Sequence, residues 1–303
     1  MANRKPRPYI HGYGADEAER LHAQATSVQG LVHGDTRFPA GSVVLEVGCG
    51  TGEQTESLAR NSPGARIVAF DREPQSLARA RARIEAAGLA NVEFHRAELF
   101  ALPFRRQSFD HVFVCFVLEH LTNPLEALVL LKEFLRPGGS ITVFEGDHGS
   151  PLFFPETQAA HRAIDCQVEL QRRVGTNACI GRQLYPLLVR AGYANVVAAP
   201  RVVYVDGSRP DLVESFTKGT FTAMVHAVRE AALAQQLIDA ETFDRGIADL
   251  ARTASADGVF VYTFFKATAG EQTPAAARRP QPPAPRGSGA GPAESRPESP
   301  SPP

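Results

Sequence analysis

The stretch Val43-Val44-Leu45-Glu46-Val47-Gly48-Cys49-Gly50-Thr51-Gly52 carries a short, β-branched apolar run into three alternating glycines, and a helical pattern follows from Glu53. That order predicts a buried strand turning sharply into a helix, with bare main chain where side chains would normally stand. A ligand can lie against such a turn at the helix N-terminus. The spacing narrows the choice of ligand. Dinucleotide-binding turns read Gly-x-Gly-x-x-Gly, but here position 53 is Glu and the third glycine comes one residue early.

Outward from this turn, strands and helices alternate. The pattern predicts strands at 43–47, 66–70, 92–95, 109–116 and 140–145, with helices at 53–60, 75–87 and 124–135. Gly88 stands where helices commonly end on glycine. The 109–116 run is apolar past Asp110, so it reads as a central strand of a parallel sheet, and Asp110 reads as structural. Repeated βαβ units imply a doubly wound, Rossmann-like α/β sheet, mostly parallel, with ligands at the carboxyl ends of its strands. After Gly146 the rhythm changes. Helices are predicted at 155–174 and 182–191, a strand at 195–205, a helical stretch at 210–254 and an antiparallel final strand at 258–267. The expected organisation is an N-terminal lid in 1–40, a main domain over 41–269 with a helical cap inserted at about 208–257, and a tail over 270–303. That tail is rich in Pro, Ala, Gly, Ser and Arg without an aromatic residue, too little apolar surface to offset the entropy of ordering.

Several positions between Val43 and Glu145 then fall into one series. Glu46 lies two residues before the first glycine, and Asp71 ends the second strand. Ala97-Glu98-Leu99-Phe100-Ala101-Leu102-Pro103-Phe104 follows the third. Next come Phe109-Asp110-His111-Val112-Phe113-Val114 and Cys115-Phe116-Val117-Leu118-Glu119-His120-Leu121, then Leu135-Arg136-Pro137-Gly138-Gly139. In order and spacing this series resembles class I S-adenosylmethionine (SAM)-dependent methyltransferases, and its fourth motif resembles their small-molecule, quinone-biosynthesis-like group. The resemblance implies SAM as cofactor, with Glu46 beneath its methionine part and Gly48, Cys49, Gly50, Gly52 and Gln54 at the turn. It implies Asp71, with Arg72 beside it, at the ribose hydroxyls, Glu98 and Leu99 at the adenine, and Phe116 past strand four. A vicinal diol facing a two-oxygen acceptor explains why a carboxylate is wanted at 71; a nicotinamide-cofactor fold would use the same device, so Asp71 alone does not discriminate. Cys49 and Cys115 read as small hydrophobic packing rather than as nucleophiles.

Methyl transfer is an in-line displacement from an activated sulfonium, so alignment supplies much of the rate. A base is needed only where the acceptor holds its proton at neutral pH. Glu145-Gly146-Asp147-His148-Gly149-Ser150, directly beyond strand five, offers His148 as that base and Asp147 as its orienting partner. The bland alternative is that both cap the following turn. Tyr9, His11 and Tyr13 precede an amphipathic helix from Ala15 to about Gln29 and suit a lid over the site, with packing on the sheet edge as the alternative. His120 and Arg182 complete the expected substrate contacts, Arg182 facing an anionic group. No metal set is evident, since Cys49, Cys115, Cys166 and Cys179 show no pair at ligand spacing.

Composition removes other classes. The chain's 32 basic and 33 acidic residues leave a net charge of −1, which offers no field for nucleic acid. Nor does Cys115-Phe116-Val117-Leu118 carry the Asn/Asp-Pro-Pro-aromatic run that amino-methylating enzymes set against a flipped base. No segment approaches the roughly 20 apolar residues of a membrane span, and the charged N-terminus is followed by no apolar stretch of a secretory signal. Isolated thiols suggest a reducing, cytoplasmic setting. The leading expectation is SAM-dependent methyl transfer to a small molecule, with an N, O, S or C acceptor left open. Its rivals are a non-catalytic SAM-fold regulatory protein, which should have lost Asp71, Glu98 or the glycines, and a protein methyltransferase.

Overall fold

The structure is a computed structural model that describes residues 28–270. The lid residues Tyr9, His11 and Tyr13, most of their helix and the tail therefore lie outside the described residues. Among the described residues no helix is long and apolar enough to cross a membrane.

Five strands run parallel in the order β3 (Val92–Arg96), β2 (Arg66–Asp71), β1 (Val43–Val47), β4 (Phe109–Cys115) and β5 (Leu135–Gly146). β1, β2, β4 and β5 are buried on both faces over their middles, which is why these runs are mostly apolar rather than alternating, whereas the edge strand β3 buries only Phe94. The strand order reverses between β1 and β4, so a crevice opens at their carboxyl ends. The final strand β8 (Val259–Gly270) is antiparallel. One edge pairs with β5 over residues 264–270 and with the short β6 (Leu152–Phe154) over residues 259–261, while β7 (Ala194–Asp206) pairs along the other. The sequence pattern missed β6, a three-residue edge strand with two exposed side chains and no periodicity to read. It also began strand five at Ser140. The structure extends β5 back through Pro137-Gly138-Gly139, where the register against β4 shifts between Phe109 and His111.

Helices cover both faces. On one lie α1 (described over residues 28–33), α2 (Glu53–Asn61) and α3 (Pro74–Ala86). On the other lie α4 (Pro124–Phe134) and α6 (Leu184–Arg190). Leu128, Leu131 and Phe134 of α4 and Leu184, Leu187 and Leu188 of α6 share one buried cluster with Leu45, Val47, Val112 and Val114 of the sheet. Asp110 takes the structural part expected of it, accepting from Val43 N at 2.8 Å and from the Arg136 guanidinium.

The first face continues past the end of the parallel strands as a helical cap. α5 (Gln158–Arg173) precedes α6, and a helical insertion joins β7 to β8. The expected single run over 210–254 is instead broken. α7 (Pro210–Leu212) passes into a wide π-helical segment, Val213–Thr222, then α8 (Ala223–Ala227), α9 (Arg229–Ala234) and α10 (Ala240–Arg252). The break before α10 has a local cause. Gln236 takes a positive φ, and the Asp239 carboxylate accepts from Thr242 N at 2.8 Å, starting a new helix. α10 packs closely on α5, because a side-chain carbon at Gly246 would sit 2.4 Å from the Ala159 carbonyl oxygen.

Candidate active site

The turn after β1 is built from backbone that other residues resist. Gly48 and Gly52 sit at φ +64° and +86°, and a Cβ at Gly52 would lie 2.9 Å from the Cα and Cβ of Ala80. That contact holds α2 against α3. Gly50, at the crest, has nothing within 4 Å of where its Cβ would be, so the turn presents main chain to open space. Asp71, at the end of β2, reaches across: its Oδ2 accepts from Gly50 N and its Oδ1 from Glu73 N, both at 2.9 Å. Each oxygen keeps a further lone pair for a ligand hydroxyl. Ala97 N donates to the Asp71 carbonyl at 3.1 Å, which brings the exposed Glu98 and the half-buried Leu99 beside that edge. Arg72 follows Asp71, its carbonyl near Arg96 Nε at 3.4 Å.

Glu46 lies under the turn, 2 % exposed, with its carboxyl pushed up to about 8 by burial. The Thr55 hydroxyl opposes that shift, while the charges of Asp71 and Glu53 add to it. Even so, neither Glu46 Oε2 nor Thr55 Oγ1 ends in a hydrogen bond of regular geometry. A buried, unsatisfied carboxyl oxygen is costly, by about 1–3 kcal/mol, and marks where a ligand's polar group would be welcome. Cys49 is buried and its thiol is pushed up by that burial, so it packs as a neutral side chain. Gln54, expected at the cofactor, accepts at its Oε1 from His33 Nε2 at 2.5 Å and ties α2 to α1.

Beyond β4 the chain makes an unusual move. Phe116 has φ +57°, a left-handed conformation that a bulky side chain takes only under constraint. Its N–H donates to the Phe144 carbonyl at 3.0 Å, and its ring lies 5.6 Å from Phe144 and 5.7 Å from Phe264. Val117 N and Leu118 N then both donate to Glu145 Oε1, at 2.9 and 2.7 Å. Glu145 is fully buried, which with the nearby Glu119 charge pushes its carboxyl to about 8. One buried carboxyl group thus pins the end of β5 to the turn after β4.

His148 is 9 % exposed and held at both nitrogens. Nε2 lies 3.1 Å from Glu119 Oε2, and Nδ1 lies 3.0 Å from the Tyr262 hydroxyl. Tyr262 is 1 % exposed and its phenol is pushed well above its usual range, chiefly by burial, so the hydroxyl keeps its proton and can donate to Nδ1, with Nε2–H then facing Glu119. Asp147 therefore does not orient His148, correcting the expectation from adjacency. Consecutive residues past a strand point apart, and the Asp147 carboxylate is gripped by Arg182, Nε to Oδ2 at 2.5 Å and Nη2 to Oδ1 at 2.7 Å. The expected anion contact of Arg182 is thereby committed inside the protein. His120 sits half-buried with Nε2 3.6 Å from Glu119 Oε1.

Glu119 and Tyr262 are the residues that sequence reasoning missed. Glu119 lies within the 115–121 stretch that follows strand four, and Tyr262 lies 114 positions from His148. No spacing rule links them.

Comparisons with known proteins bear on the fold and on the domain that carries this edge. Residues 44–139 match a family model described as a methyltransferase domain. An uncharacterized 37.1 kDa protein in transposon TN4556 of Streptomyces fradiae is 30% identical over 202 residues, covering 66% of this chain and 57% of that one. A malonyl-[acyl-carrier protein] O-methyltransferase of Paenibacillus is 31% identical over 157 residues (50% and 55%). A demethylmenaquinone methyltransferase of Thermus thermophilus is 38% identical over 102 residues (34% and 46%). The chain thus spans about half the length of these curated relatives. Among solved structures, the BH2331 methyltransferase candidate of Bacillus halodurans superposes with a TM-score of 0.52 at 18% identity, over 83% of this chain and 100% of that one. YcgJ of Bacillus subtilis gives 0.52 at 12%, over 82% and 98%; at such identities the likeness concerns the fold. With motif order, strand order and family match in agreement, this chain carries a methyltransferase domain of the class I, SAM-dependent type.

Proposed function

We propose that the chain transfers a methyl group from SAM to a small acceptor at the carboxyl edge of the sheet, with His148 as the eventual proton acceptor. The observation that carries this reading is the Glu119–His148–Tyr262 array, set just past β5 and across the edge from the glycine turn. The residues that would hold the cofactor are Glu46, the Gly48–Gly52 backbone, Asp71, Glu98 and Leu99. The unsatisfied Glu46 Oε2, the open crest at Gly50 and the spare lone pairs of Asp71 fit a ligand carrying an ammonium group and a diol. SAM supplies the methyl group already activated as a sulfonium.

The chain's own residues then manage alignment and one proton. Both nitrogens of His148 are engaged, so an acceptor proton reaches it through the Tyr262 hydroxyl: the acceptor gives its proton to the phenol oxygen while the phenol proton moves to Nδ1. Glu119 stabilises the imidazolium that results, the same division of labour as in a catalytic triad. Gly146 allows the array to form, since a Cβ there would lie 2.6 Å from the Tyr262 hydroxyl. Phe116 supports an enclosed site. Its ring meets Phe264, which lies 6.0 Å from Phe216 in the π-helical segment, so an aromatic wall runs from the edge into the cap. Such a wall suits a small molecule better than a polymer.

The test is transfer of radiolabel from SAM into a metabolite extract by wild type, His148→Ala and Tyr262→Phe, beside SAM affinity. Tyr262→Phe keeps the ring and removes the relay, so turnover should fall by about 10-fold or more with SAM binding intact. Unchanged turnover in both variants would show that the acceptor needs no base.

A further inference from the structure

α5 crosses the carboxyl edge between two fixed ends. At its start the His161 ring meets Phe153 of β6 at a tilt, with centroids 4.8 Å apart, and the Thr157 hydroxyl donates to Asp249 at 2.7 Å. Past its end, Thr176 N donates back to the Gln171 carbonyl at 3.0 Å, Asn177 N donates to the Glu119 carbonyl at 3.1 Å, and the Ala178 carbonyl accepts from His148 N at 2.9 Å. The helix therefore runs from beside Phe260, which stacks on Phe153, toward Glu119 and His148. Its Ala159 and Ala163 side meets α10. The neighbouring stripe, Ala160, Ile164, Gln167 and Gln171, follows the spacing of one helix face and is buried throughout, so it turns inward.

The last two members of that stripe do not belong in a hydrocarbon interior. Gln167 and Gln171 are each 1 % exposed, and all four of their amide nitrogens and oxygens lack a hydrogen-bond partner. Thr217, next to Phe216 in the wide-turned segment of the cap, is likewise 1 % exposed with its hydroxyl unpaired. Buried polar groups are almost always paired. Two adjacent exceptions on one face of a helix whose following turn hydrogen-bonds Glu119 and His148 call for a ligand. π-helical segments are also rare and recur at functional sites.

We infer that Gln167 and Gln171 form the recognition edge of the acceptor pocket, and that the methyl acceptor carries a neutral amide-type edge, such as a carboxamide or lactam, which donates and accepts at once. This deepens the methyl-transfer reading and rests on it. A primary amide is self-complementary to another: each glutamine offers one donor and one acceptor side by side, and only a partner with both satisfies both. A ring bearing carbonyl oxygens alone would leave the two Oε1 atoms unpaired. The glutamines carry no charge, which argues against an ionic group at this point.

The experiment uses the full chain saturated with S-adenosylhomocysteine, whose own affinity is measured first by calorimetry. Benzamide and acetophenone, equal in shape but differing in the N–H donor, are titrated by ligand-detected NMR. Benzamide is expected to bind about tenfold more tightly, and Gln167→Met with Gln171→Met should erase that preference. Because the double variant removes unpaired buried amides, its Tm without fragment should rise by about 3 °C or more. Equal binding of the two fragments to wild type, a preference that survives in the double variant, or a lowered Tm in that variant would overturn the inference. The wild-type comparison stands even if the variant does not fold. Absence of S-adenosylhomocysteine binding would instead strike the methyl-transfer reading itself.

Discussion

The two halves of this sheet edge are made of different material. The cofactor half takes its groups from one continuous stretch, Glu46 through Leu99, and presents mainly backbone: a glycine crest, strand ends and a carboxylate braced by two N–H groups. The acceptor half draws Glu119, His148, Gln167, Gln171, Thr217 and Tyr262 from separate turns, helices and a strand, and presents side chains. In the first half little but Glu46 and Thr55 is left unsatisfied; in the second, whole amides are. A site of fixed backbone suits a ligand common to a whole family. One of scattered side chains on a cap suits a ligand particular to this chain, because side chains can be exchanged without disturbing the strand-turn-helix frame.

The largest effect that would sharpen this contrast is on turnover. His148→Ala should lower kcat by about 10²–10⁴-fold, the usual yield of a positioned acid–base group, with SAM affinity unchanged. Raising the pH should restore part of the loss, since an acceptor that ionises by itself needs no relay. A parallel loss of SAM affinity, measured by calorimetry, would mean that the two halves are not separate.

Asp71→Ala is the converse. Removing charge-assisted hydrogen bonds costs about 1.5–3 kcal/mol, so SAM should bind about 10- to 100-fold more weakly. The glycine turn would also loosen, because Gly50 N loses its acceptor. Unchanged affinity would remove Asp71 from the site.

The same contrast decides what could be read from sequence. The turn at 48–52, the strand ending on Asp71 and the acidic loop at 97–99 are local patterns, each fixed by the conformation of a few neighbouring residues. The partners of His148 are not local. Adjacency pointed to Asp147, but the structure hands Asp147 to Arg182 and His148 to Glu119 and Tyr262, because pairing β8 against the end of β5 decides which side chains meet. Gln167 and Gln171 sat unnoticed in an amphipathic helix, since a glutamine on a buried stripe looks like any other polar residue until its surroundings are known. The π-helical widening at Val213–Thr222 likewise leaves no mark on hydrophobic spacing.

Glu145 joins the two halves, and its protonation gives a pH prediction with a definite sign. Its carboxyl is raised from an ordinary 4.5 to about 8, so between those values the folded protein binds a proton that the unfolded chain does not. Stability from this group is complete below about pH 4.5 and is lost as pH rises toward 8. Glu46, raised to about 8 as well, acts in the same direction. Glu145→Gln keeps an oxygen for Val117 N and Leu118 N while removing the ionisation. The decline in Tm from pH 5 to pH 8 should therefore be clearly shallower in the variant, and above pH 8 the variant should be the more stable protein. An identical slope would show that Glu145 does not ionise on folding's account.

The smallest effect is expected at Arg182, and it separates two readings of that residue. If its guanidinium only holds Asp147, Arg182→Gln loosens the 147–150 turn and little else. Asp147 is 2 % exposed, but Gly149 N still donates to it, and the Arg182 side chain is half in solvent, which screens the pair. The cost should be about 1 kcal/mol, a fall in Tm of roughly 2–4 °C, with SAM affinity unchanged and kcat within about threefold. If Arg182 instead swings to an anionic acceptor, KM should rise by about tenfold or more while Tm barely moves. The bidentate grip on Asp147 favours the first outcome. It also explains why an arginine opening a helix near the edge need not face the substrate: a buried carboxylate next to the relay histidine requires a cation of its own, or its charge would compete with Glu119 for the imidazolium.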